Sequence, residues 1–558
     1  MLNQTIIDFV VFGLPLFYNQ RTPDQMSGPK RCKRHRNILV NDAFAPNSLG
    51  FSMPRTQSLG FIFDSKLFAI NCKYQIWNFA LVTVKKVAKR IRKYNTIREN
   101  KKGEIMPAKN VNDIVALCKR RGFIFTGSEI YGGMGGTYDY GPYGVELMRN
   151  IRNAWWNAMI YSRNDIEGLD ASLIGNRLMW KYSGHEGGFS DPLVECKKCG
   201  ARMRQDKMRD QTKCDNCGST DLMPPREYQL MMGLSIGAVA DGEINAYLRP
   251  ETATTTYINF KNVLDSVPHK LPFGIAQIGK AFRNEISPRG FVFRMREFEQ
   301  AEMQYFVRPG EDEKYFAAWR EARIAWWTNV LGIPAEKLRF TPHEKLAHYA
   351  KAAGDIEYEF PDGFDEVEGV HNRQDFDLGS HTKSQNEFKI AAHVMENRDS
   401  TVKLAYSDPQ TGESFIPYVI ETAMGVNRAM MALMIEAYTE ENLPDGKTRT
   451  VLKLKPKLAP VKVAVIPLAR NVPELVGLAE NIENDLRGLG IGRIELENSG
   501  NIGKNYRRHD EIGTPVCITV DHQTLEDGMV TMRHRDTMEQ ERIKIADVPK
   551  RVMEIVNS

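Results

Sequence analysis

Arginines and carboxylates recur at alternate positions of a predicted β-hairpin in the middle of the chain. Because side chains of a strand alternate between its two faces, every second residue shares a face. The first strand, Phe273–Glu285, places three polar side chains on one face: Gln277, Arg283 and Glu285. The returning strand, Phe298–Tyr305, carries Gln300 and Glu302 on one face. The turn between the strands adds further cations, Arg289, Arg294 and Arg296.

This combination suits the binding of a polyphosphate and an ammonium group. A guanidinium binds two phosphate oxygens at once and keeps its proton, so arginines can hold a triphosphate in a bent shape. Neighbouring carboxylates can bind Mg²⁺ or an ammonium. The chain has no GxxxxGK[ST] loop, so phosphate binding must depend on such arginines. The alternative is a surface hairpin with ordinary ion pairs, each worth about 0–1 kcal/mol. A second arginine–carboxylate pair, Glu421 and Arg428, argues against that alternative.

Four of the eight cysteines form two CxxC pairs with zinc-ribbon spacing: Cys196, Cys199, Cys214 and Cys217. Gly200 and Gly218 follow the two pairs and suit the left-handed turn that such knuckles need. Four thiolates complete a tetrahedral shell, which predicts a structural zinc ion. Two unrelated cysteine pairs in a loop are the alternative. Metal-binding cysteines are typical of a reducing compartment, so an intracellular protein is predicted.

Hydrophobic periodicity predicts the elements that must position these residues. Apolar residues at helical spacing predict three helices, Val111–Arg121, Leu147–Tyr161 and Lys314–Leu331. A strand over Pro417–Glu421 is predicted to lead into a helix over Asn427–Ala437. We interpret 334–364 as a polar insert and 441–457 as a linker. Alternating strands and helices then predict a small α/β domain over 459–558.

The hairpin is similar to motif 2 of class II aminoacyl-tRNA synthetases. The resemblance lies in Phe282-Arg283-Asn284-Glu285 and in Arg294-x-Arg296-Glu297-Phe298-Glu299-Gln300-Ala301-Glu302, while Glu421-Thr-Ala-Met-Gly425-Val-Asn-Arg428 resembles motif 3. Within that class the chain resembles the homodimeric glycyl-tRNA synthetase family, whose signatures are matched at Tyr138–Pro142, Ser183–His185, Arg249–Ala253 and Arg373–Leu378. The resemblance extends from about Val111 to the C-terminus, and the ordered set of motifs makes it specific.

The resemblance implies an α+β fold, with an antiparallel sheet flanked by helices over 106–455. A zinc-ribbon insert at about 194–220 and an α/β anticodon-binding domain over 459–558 complete it. The implied activity is that of a glycine–tRNA ligase, which uses ATP with Mg²⁺ to make glycyl-adenylate and then loads tRNA(Gly). Neither step needs a protein nucleophile, so catalysis should come from positioning and charge stabilisation. A cytoplasmic homodimer is also implied, with motif 1 best matched by Leu147–Tyr161.

The resemblance also assigns individual residues. Arg283 is implied to hold the α-phosphate and the attacking carboxylate, and Arg428 the γ-phosphate, which makes both catalytic. ATP-binding positions are implied at Arg283, Asn284, Glu285, Phe293, Arg294, Met295, Arg296, Glu297, Phe298, Glu366, Val367, Gly425 and Arg428. Glycine-binding positions are implied at Arg204, Glu251, Phe298, Glu299, Gln300, Ala301, Glu302, Glu421, Ala423 and Gly425. Glu285 and Glu366 are expected to meet adenine or Mg²⁺.

Some positions leave alternatives open. The family usually has Ser where this chain has Ala423, which removes a hydrogen bond worth about 0.5–1.5 kcal/mol. Arg202 lies two residues from Arg204 in a similar setting. In the C-terminal domain, four arginines are candidates for RNA contacts: Arg507, Arg508, Arg533 and Arg535.

Two other functions compete with the synthetase. An inactive synthetase relative would have lost the motif arginines and zinc ligands, which this chain keeps. A zinc-ribbon nucleic-acid-binding protein without enzymatic activity would leave the arginine hairpin unexplained.

The first 105 residues differ from the rest of the chain. They hold 18 Lys and Arg against 6 Asp and Glu, whereas the other residues of the 558 hold 57 and 64. A presequence or a tRNA-binding arm would explain the basic character. We favour sequence upstream of the natural start, with Met106 first, because no local pattern agrees with a fold. No uncharged apolar run of about 18 residues occurs, so no membrane span is predicted.

Overall fold

The computed structural model describes residues 105, 106, 108 and 110–558, apart from 238–241 and 348. The described residues lie within one compact unit, Glu99–Ser558. The predictions for the basic N-terminal segment concern residues outside the described part, except that Ile105 and Met106 form a short strand. No helix in the described ranges is long and apolar enough to cross a membrane.

The first part of the fold consists mostly of short strands and helices. Its strands are β1 Ile105–Met106, β2 Ile124–Thr126, β3 Tyr138–Tyr140, β4 Ile166–Gly168, β5 Ile174–Asn176, β6 Ser190–Glu195, β7 Arg202–Arg204, β8 Arg226–Gln229, β9 Met232–Leu234 and β10 Ala246–Leu248. Its helices are α1 Val111–Arg121, α2 Pro142–Trp156, α3 Arg177–Tyr182, α4 His185–Gly188, α5 Ala253–Ile258 and α6 Phe260–Ser266. The bounds of α1 confirm the prediction: Asn110 and Asp113 form a capping box, and Gly122 ends the helix with a φ of 71°.

The second part supplies most of the central sheet and the helices that cover it. Its strands are β11 Phe273–Phe282, β12 Glu297–Val307, β13 Leu338–Pro342, β14 Ala352–Phe360, β15 Gly363–Gln374, β16 Tyr406–Ser407, β17 Ser414–Phe415 and β18 Tyr418–Gly425. Its helices are α7 Asp312–Trp326, α8 Phe376–His381 and α9 Val426–Ala437. Helices α2 and α7 continue through one π-helical turn, to Tyr161 and Leu331, as far as the sequence predicted.

A seven-stranded sheet in the order β13-β14-β15-β18-β12-β11-β4 forms the centre of this region. Its neighbouring strands are antiparallel except β4, which runs parallel to β11. The predicted hairpin is confirmed as β11 and β12, in which Gln277 lies opposite Glu302. The sheet therefore brings together residues that are far apart in the sequence.

The two faces of this sheet have different compositions because side chains alternate along each strand. On β12, Ala301 and Met303 lie in the main hydrophobic core, together with the buried sides of α2, α7 and α9. Glu302 and Gln304 consequently point to the opposite face. A second apolar cluster, which includes Phe273 and Phe306, covers part of the opposite face, and the rest of that face carries the polar residues.

Residues 334–364, predicted as a polar insert, instead form β13 and β14 of the central sheet. In β14, Ile356 and Tyr358 are fully buried, while Glu357 and Glu359 alternate with them. The prediction was wrong because a strand buried on one face has polar residues at every second position.

The C-terminal part begins with a hairpin and continues as a small α/β domain. Its strands are β19 Tyr438–Asn442, β20 Thr448–Leu452, β21 Val463–Pro467, β22 Ile494–Leu496, β23 Val516–Val520, β24 Met529–His534 and β25 Gln540–Lys544. Its helices are α10 Pro473–Arg487, α11 Ile502–Ile512, α12 Thr524–Asp527 and α13 Val548–Val556. The sheet order is β22-β21-β23-β24-β25, parallel over the first three strands and antiparallel over the last two pairings.

The hairpin of β19 and β20 occupies the residues predicted as a linker, so that prediction was wrong. Arg449 of β20 is fully buried, with its Nε 2.8 Å from Asp510 Oδ2 and its Nη1 2.8 Å from Glu441 Oε2. Charged residues of this polar stretch are therefore paired inside the protein.

Candidate active site

Arg283 lies immediately after β11, where the chain leaves the sheet. Its backbone N–H donates to the carbonyl oxygen of Arg296 at 2.9 Å, and its Nε donates to that of Pro250 at 3.1 Å. The guanidinium lies over the rings of Phe189 and Phe298, 5.2 and 5.1 Å from their centroids. Its terminal nitrogens form no hydrogen bond with any described residue. The guanidinium is thus fixed in place while its terminal donors remain available to an anion.

Arg428 lies in the first turn of α9 and meets two other predicted site residues. Its Nη1 lies 3.0 Å from Glu366 Oε2 and donates to the Glu366 carbonyl oxygen at 2.9 Å. Its Nε donates to the Phe293 carbonyl oxygen at 3.2 Å, and the guanidinium lies 4.3 Å from the centroid of the Phe293 ring. Arg428 lowers the pKa of Glu366, and Arg283 contributes to the same shift. The positive charges of Arg428 and Arg283 therefore both act on the Glu366 carboxylate.

The other arginines of the hairpin turn hold the turn itself. Arg296 donates from Nη2 to the Glu285 carbonyl oxygen at 3.0 Å and from Nη1 to that of Gly135 at 2.7 Å. Arg294 Nη1 lies 3.7 Å from Glu285 Oε2. That carboxylate oxygen is buried and accepts no hydrogen bond from the described residues. An acceptor of this kind is costly unless a ligand donates to it.

Three predicted carboxylates, Glu251, Glu302 and Glu421, converge on the polar face of the sheet. Thr252 Oγ1 donates to Glu302 Oε2 at 2.5 Å, and Gln300 Nε2 donates to Glu302 Oε1 at 2.7 Å. Both other carboxylates are close enough to Glu302 to raise its pKa by repulsion. An ammonium group placed among them would neutralise this repulsion.

Each of the other two carboxylates has cationic or imidazole partners. Glu421 Oε2 accepts from Arg373 Nη1 at 3.1 Å and lies 2.6 Å from His371 Nδ1. Glu251 Oε2 lies 3.3 Å from His185 Nε2. These partners fix the carboxylates in the ionised form.

Because their partners differ, the three carboxyl groups have different pKa values. Burial, and then the charges of Glu421 and Glu251, raise the pKa of Glu302 to about 8. Burial also acts on Glu421, but Arg373 and His371 outweigh it and hold the pKa at about 2. For Glu251, His185 outweighs burial and keeps the pKa below its usual range. At neutral pH the empty pocket therefore holds two carboxylates and one carboxylic acid.

The sheet brings most of the predicted residues to this face or to its edge. Ala423 lies on β18 between Glu302 and Gly369 of the neighbouring strands. Gly425 ends β18 just before α9. The Gln300 Oε1 atom is buried and lacks a donor among the described residues. Asn284 is half-buried beside the hairpin and donates its backbone N–H to the Leu230 carbonyl oxygen at 2.8 Å.

Other predicted residues are not brought into the site. Glu299 and Ala301 lie on the core face of β12, where Arg152 of α2 binds the Glu299 carboxylate with two nitrogens. Met295 and Val367 are buried in the main core. The Glu297 carboxylate pairs with Lys280 at the surface. The side chains at these predicted positions therefore face the core or the surface, because the motifs fix chain position and the pleat fixes the face.

Arg204, predicted at the substrate, pairs with Asp191 and Asp206 at 2.8 Å each. It lies close enough to Glu285 for their charges to interact. Arg202 pairs with Glu195 at 3.2 Å and is mostly exposed. Arg204, not Arg202, is therefore directed towards the hairpin, at its edge.

Sequence reasoning missed three functional residues of the pocket: His185, His371 and Arg373. Arg373 is fully buried and binds Asp377 with two nitrogens as well as Glu421. His185 and Arg373 lie in sequence segments that match family signatures, but neither residue was assigned a role. No signal marked His371, because only the register opposite Glu421 brings it to the site.

The four predicted zinc ligands form a compact cluster. Their sulfur atoms all lie within 4.8 Å of one another, with Cys196 and Cys217 at 3.7 Å and Cys199 and Cys214 at 3.6 Å. A tetrahedral ion with Zn–S bonds of about 2.3 Å requires sulfur separations of this size. Gly200 and Gly218 have φ values of 68° and 70°, as the knuckle geometry predicts. The sulfur atoms fit a zinc ion.

The C-terminal arginines are mostly engaged within the protein. Arg533 is buried and binds Asp510 with two nitrogens, and Arg535 is buried among backbone carbonyl groups. Arg508 pairs with Glu497 at 2.6 Å. Of the four candidates, only Arg507 has an exposed contact, to the Thr448 carbonyl oxygen at 3.2 Å. Burial of Arg533 and Arg535 argues against their assignment to RNA.

Two family models match the chain over the regions that carry these features. A tRNA synthetase class II core domain (G, H, P, S and T) matches residues 238–438, which include the hairpin and α9. An anticodon binding domain matches residues 462–555. The mixed α and β fold, the arginine hairpin and these matches define the class as class II aminoacyl-tRNA synthetases.

Curated relatives narrow the class to one family. The glycine–tRNA ligase of Thermus thermophilus is 49% identical over 497 residues, which cover 79% of this chain and 98% of the relative. That of Deinococcus radiodurans is 48% identical over 498 residues, with coverage of 79% and 98%. That of Borreliella burgdorferi is 47% identical over 441 residues, with coverage of 78% and 96%. The chain belongs to the glycine–tRNA ligase family.

Proposed function

We propose that this protein activates glycine with ATP and transfers the glycyl group to the 3′ end of tRNA(Gly). The observation that carries the proposal is the arrangement of one face of the sheet. Arg283 and Arg428 lie beside a pocket in which Glu251, Glu302 and Glu421 converge. This face pairs cations for a triphosphate with carboxylates for an ammonium group.

In the first step a carboxylate oxygen of glycine attacks the α-phosphorus of ATP. A bond forms between that oxygen and phosphorus, the bond from phosphorus to the bridging oxygen breaks, and pyrophosphate leaves. Arg283 holds the α-phosphate and the carboxylate, whose negative charges would otherwise repel each other. Arg428 holds the γ-phosphate, so the triphosphate is bent with its α-phosphorus towards glycine.

The three carboxylates bind the ammonium group of glycine. Arrival of the positive charge lowers the pKa of Glu302, and this residue releases its proton as glycine binds. Glycine has no side chain to recognise, so selection must come from filled space around its α-carbon.

Phe298 and Phe293 are assigned to the adenine, with the buried Glu285 oxygen accepting a hydrogen bond from the ligand. Glu366 is an oxygen ligand suited to Mg²⁺. Bound Mg²⁺ would neutralise charge on the phosphate oxygens.

In the second step a ribose hydroxyl of the terminal adenosine attacks the glycyl carbonyl carbon, and AMP leaves. The C-terminal domain is assigned to the anticodon arm, by analogy with the domain that it matches. We infer a cytoplasmic homodimer from the family resemblance, with α2 at the two-fold axis as motif 1.

Zinc is proposed as a structural ion held by Cys196, Cys199, Cys214 and Cys217. Four thiolates leave no open coordination position, so this ion stabilises the fold of the ribbon and takes no part in the reaction. The ribbon sheet also carries Arg204, which pairs with Asp191 inside that sheet and whose charge interacts with Glu285 of the hairpin.

Glycine-dependent exchange of labelled pyrophosphate into ATP tests the proposal without tRNA. The wild-type protein should catalyse exchange, and Arg283→Ala should lose it almost completely while melting at the wild-type temperature. Arg398→Ala, which removes an exposed arginine paired with Glu396, is the matched control and should retain full exchange. A wild-type protein without exchange would favour the inactive relative, and exchange with alanine or serine alone would redirect the substrate.

A further inference from the structure

His371 presents one edge of its ring to the pocket face of the central sheet. Its Nδ1 lies 2.6 Å from Glu421 Oε2, and an ionised carboxylate only accepts hydrogen bonds, so Nδ1 carries the proton. The other ring nitrogen, Nε2, forms no hydrogen bond with any described residue. The side chain keeps 15% of its surface exposed. The Cε1–Nε2 edge is therefore uncommitted, while Glu421 holds the Nδ1 side.

This ring edge lies over Gly369, two residues earlier on β15. A Cβ atom on Gly369 would come within 2.7 Å of His371 Cε1 and 3.1 Å of Nε2, so a side chain there would collide with the imidazole. Glycine at this position thus leaves the space that the ring fills. Gly369 pairs directly with Ala423, which in turn pairs with Glu302. The edge of His371 therefore covers the strand position next to Ala423 in the pocket.

The imidazole has two neighbours that restrict its movement. Glu421 holds Nδ1, and the ring of His343 lies 6.0 Å away, measured between the ring centroids. His343 is itself fixed by Asp355, whose Oδ2 lies 2.8 Å from its Nε2. A wall rejects a larger ligand only if it cannot move aside, and close packing of this kind transmits strain instead of absorbing it. His371 therefore forms a firm wall of the pocket.

We propose that the Cε1–Nε2 edge of His371 excludes amino acids that carry a β-carbon and thereby selects glycine. The inference rests on the proposed function, which places the ammonium group of glycine among Glu251, Glu302 and Glu421. An ammonium group bound to Glu421 lies next to His371, because both contact the same carboxylate. The α-carbon is one bond from that nitrogen, beside the ring edge. A methyl group on that side of the α-carbon would overlap the imidazole.

A single wall meets only one of the two hydrogens on the α-carbon of glycine. Replacing that hydrogen by a methyl group gives one enantiomer of alanine, and replacing the other hydrogen gives its mirror image. Removal of the wall should therefore admit one enantiomer of alanine and leave the other excluded. Space for one additional methyl group is worth about 10- to 200-fold in kcat/KM.

The test measures exchange of labelled pyrophosphate into ATP by the full-length protein with glycine, L-alanine and D-alanine. His371→Asn vacates the ring edge, while its amide can take the place of Nδ1 and donate to Glu421. The ratio of kcat/KM for one alanine enantiomer to that for glycine should rise by about 10- to 200-fold. His371→Gln makes the opposite change, because its longer side chain refills the edge but loses the Nδ1 contact. In that variant the KM for glycine should rise and the ratio should stay low.

His269→Asn is the matched control. His269 also meets a carboxylate, with its Nε2 2.7 Å from Glu167 Oε1, and its side chain is 16% exposed. It lies before β11, at the end of that strand away from Arg283. This variant should keep the wild-type ratio.

An unchanged ratio in His371→Asn would overturn the proposal, and so would equal gains with both enantiomers, which would show a generally loosened pocket. An equal rise in His371→Gln would overturn it as well, because the Glu421 contact and not the ring edge would then control selection. If His371→Asn does not exchange with glycine, His371→Ser, which also vacates the edge, is measured under the same outcomes. A wild type without glycine exchange contradicts the proposed function, whereas glycine exchange with an unchanged ratio contradicts only the wall.

Discussion

At the scale of single residues, Glu302 differs from the carboxylates on either side of it. Glu421 and Glu251 have basic partners, whereas the groups that donate hydrogen bonds to Glu302 within the described ranges, Thr252 and Gln300, are neutral. A buried acid without a cation keeps its proton. The pocket therefore avoids holding three negative charges when no ammonium group is bound.

Glycine binding is predicted to release about one proton at pH 7. Glu302, with a pKa of about 8, is protonated in the free protein, and a bound ammonium favours its ionised form. Affinity for glycine should therefore rise between pH 6 and pH 8. Calorimetric titration in two buffers with different heats of ionisation measures the released proton. A binding heat that does not depend on the buffer would contradict the prediction, and Glu302→Gln should abolish any dependence.

Ala423→Ser is predicted to lower the KM for glycine by about 2- to 10-fold, the value of one hydrogen bond. Ala423 lies on the pocket face of β18, beside Glu302 and opposite Gly369. The added hydroxyl can therefore donate towards the substrate. Steady-state pyrophosphate exchange at varied glycine concentration provides the measurement. An increase in KM would show that the pocket has no space for the hydroxyl.

At the scale of elements, the ribbon connects a metal site to the catalytic hairpin. Strand β6 lies between β7 and β8 and ends next to Cys196, and β7 carries Arg204 towards Glu285. The Asn284 backbone N–H donates to the Leu230 carbonyl oxygen just beyond β8. Loss of order in the ribbon should therefore also disorder the catalytic hairpin.

Cys196→Ser is predicted to lose the zinc ion and to raise the KM for ATP. A serine hydroxyl is a poor replacement for a thiolate, and three ligands do not hold a structural zinc firmly. Metal analysis of the purified protein measures the ion. Cys118→Ala, which removes a buried thiol outside the cluster, is the matched control and should keep one equivalent. One equivalent retained by Cys196→Ser would contradict the four-thiolate site.

At the scale of the whole molecule, charged residues join the catalytic and C-terminal regions. Arg449 of the β19–β20 hairpin binds Asp510 of α11, and Arg121 of α1 lies 2.7 Å from Glu511. Arg508 of α11 donates to the Tyr143 hydroxyl on α2 at 2.9 Å. These contacts fix α11 against elements of the catalytic region.

Arg449→Met is predicted to destabilise this junction by about 3–5 kcal/mol, because Asp510 and Glu441 lose a buried partner. The thermal unfolding temperature should fall by several degrees, while Arg507→Met, at a nearby half-buried position without an ion pair in the described ranges, should change it little. Differential scanning calorimetry provides the comparison. Equal unfolding temperatures for Arg449→Met and the wild type would show that Arg533 alone satisfies Asp510.

The sequence predicted the local features well. Helix α1, the hairpin of β11 and β12, the helix after Glu421 and the four-cysteine cluster all follow from spacing and caps between near neighbours in the chain. The polar strands β14 and β20 were missed because their charged residues were taken as solvated. Arg449 shows why: its partners are 8 and 61 residues away, and no local pattern indicates them.

The sequence by itself determined which residue types are available for the reaction and the order in which the motifs occur. Only the tertiary structure decided that Glu302 faces the pocket while Glu299 faces the core, and that His371 lies opposite Glu421. Likewise, only the packing of α11 showed that Arg533 is an internal ion-pair partner. The physical reason is that the pleat, the strand register and burial depend on contacts between distant segments, which spacing along one chain does not record.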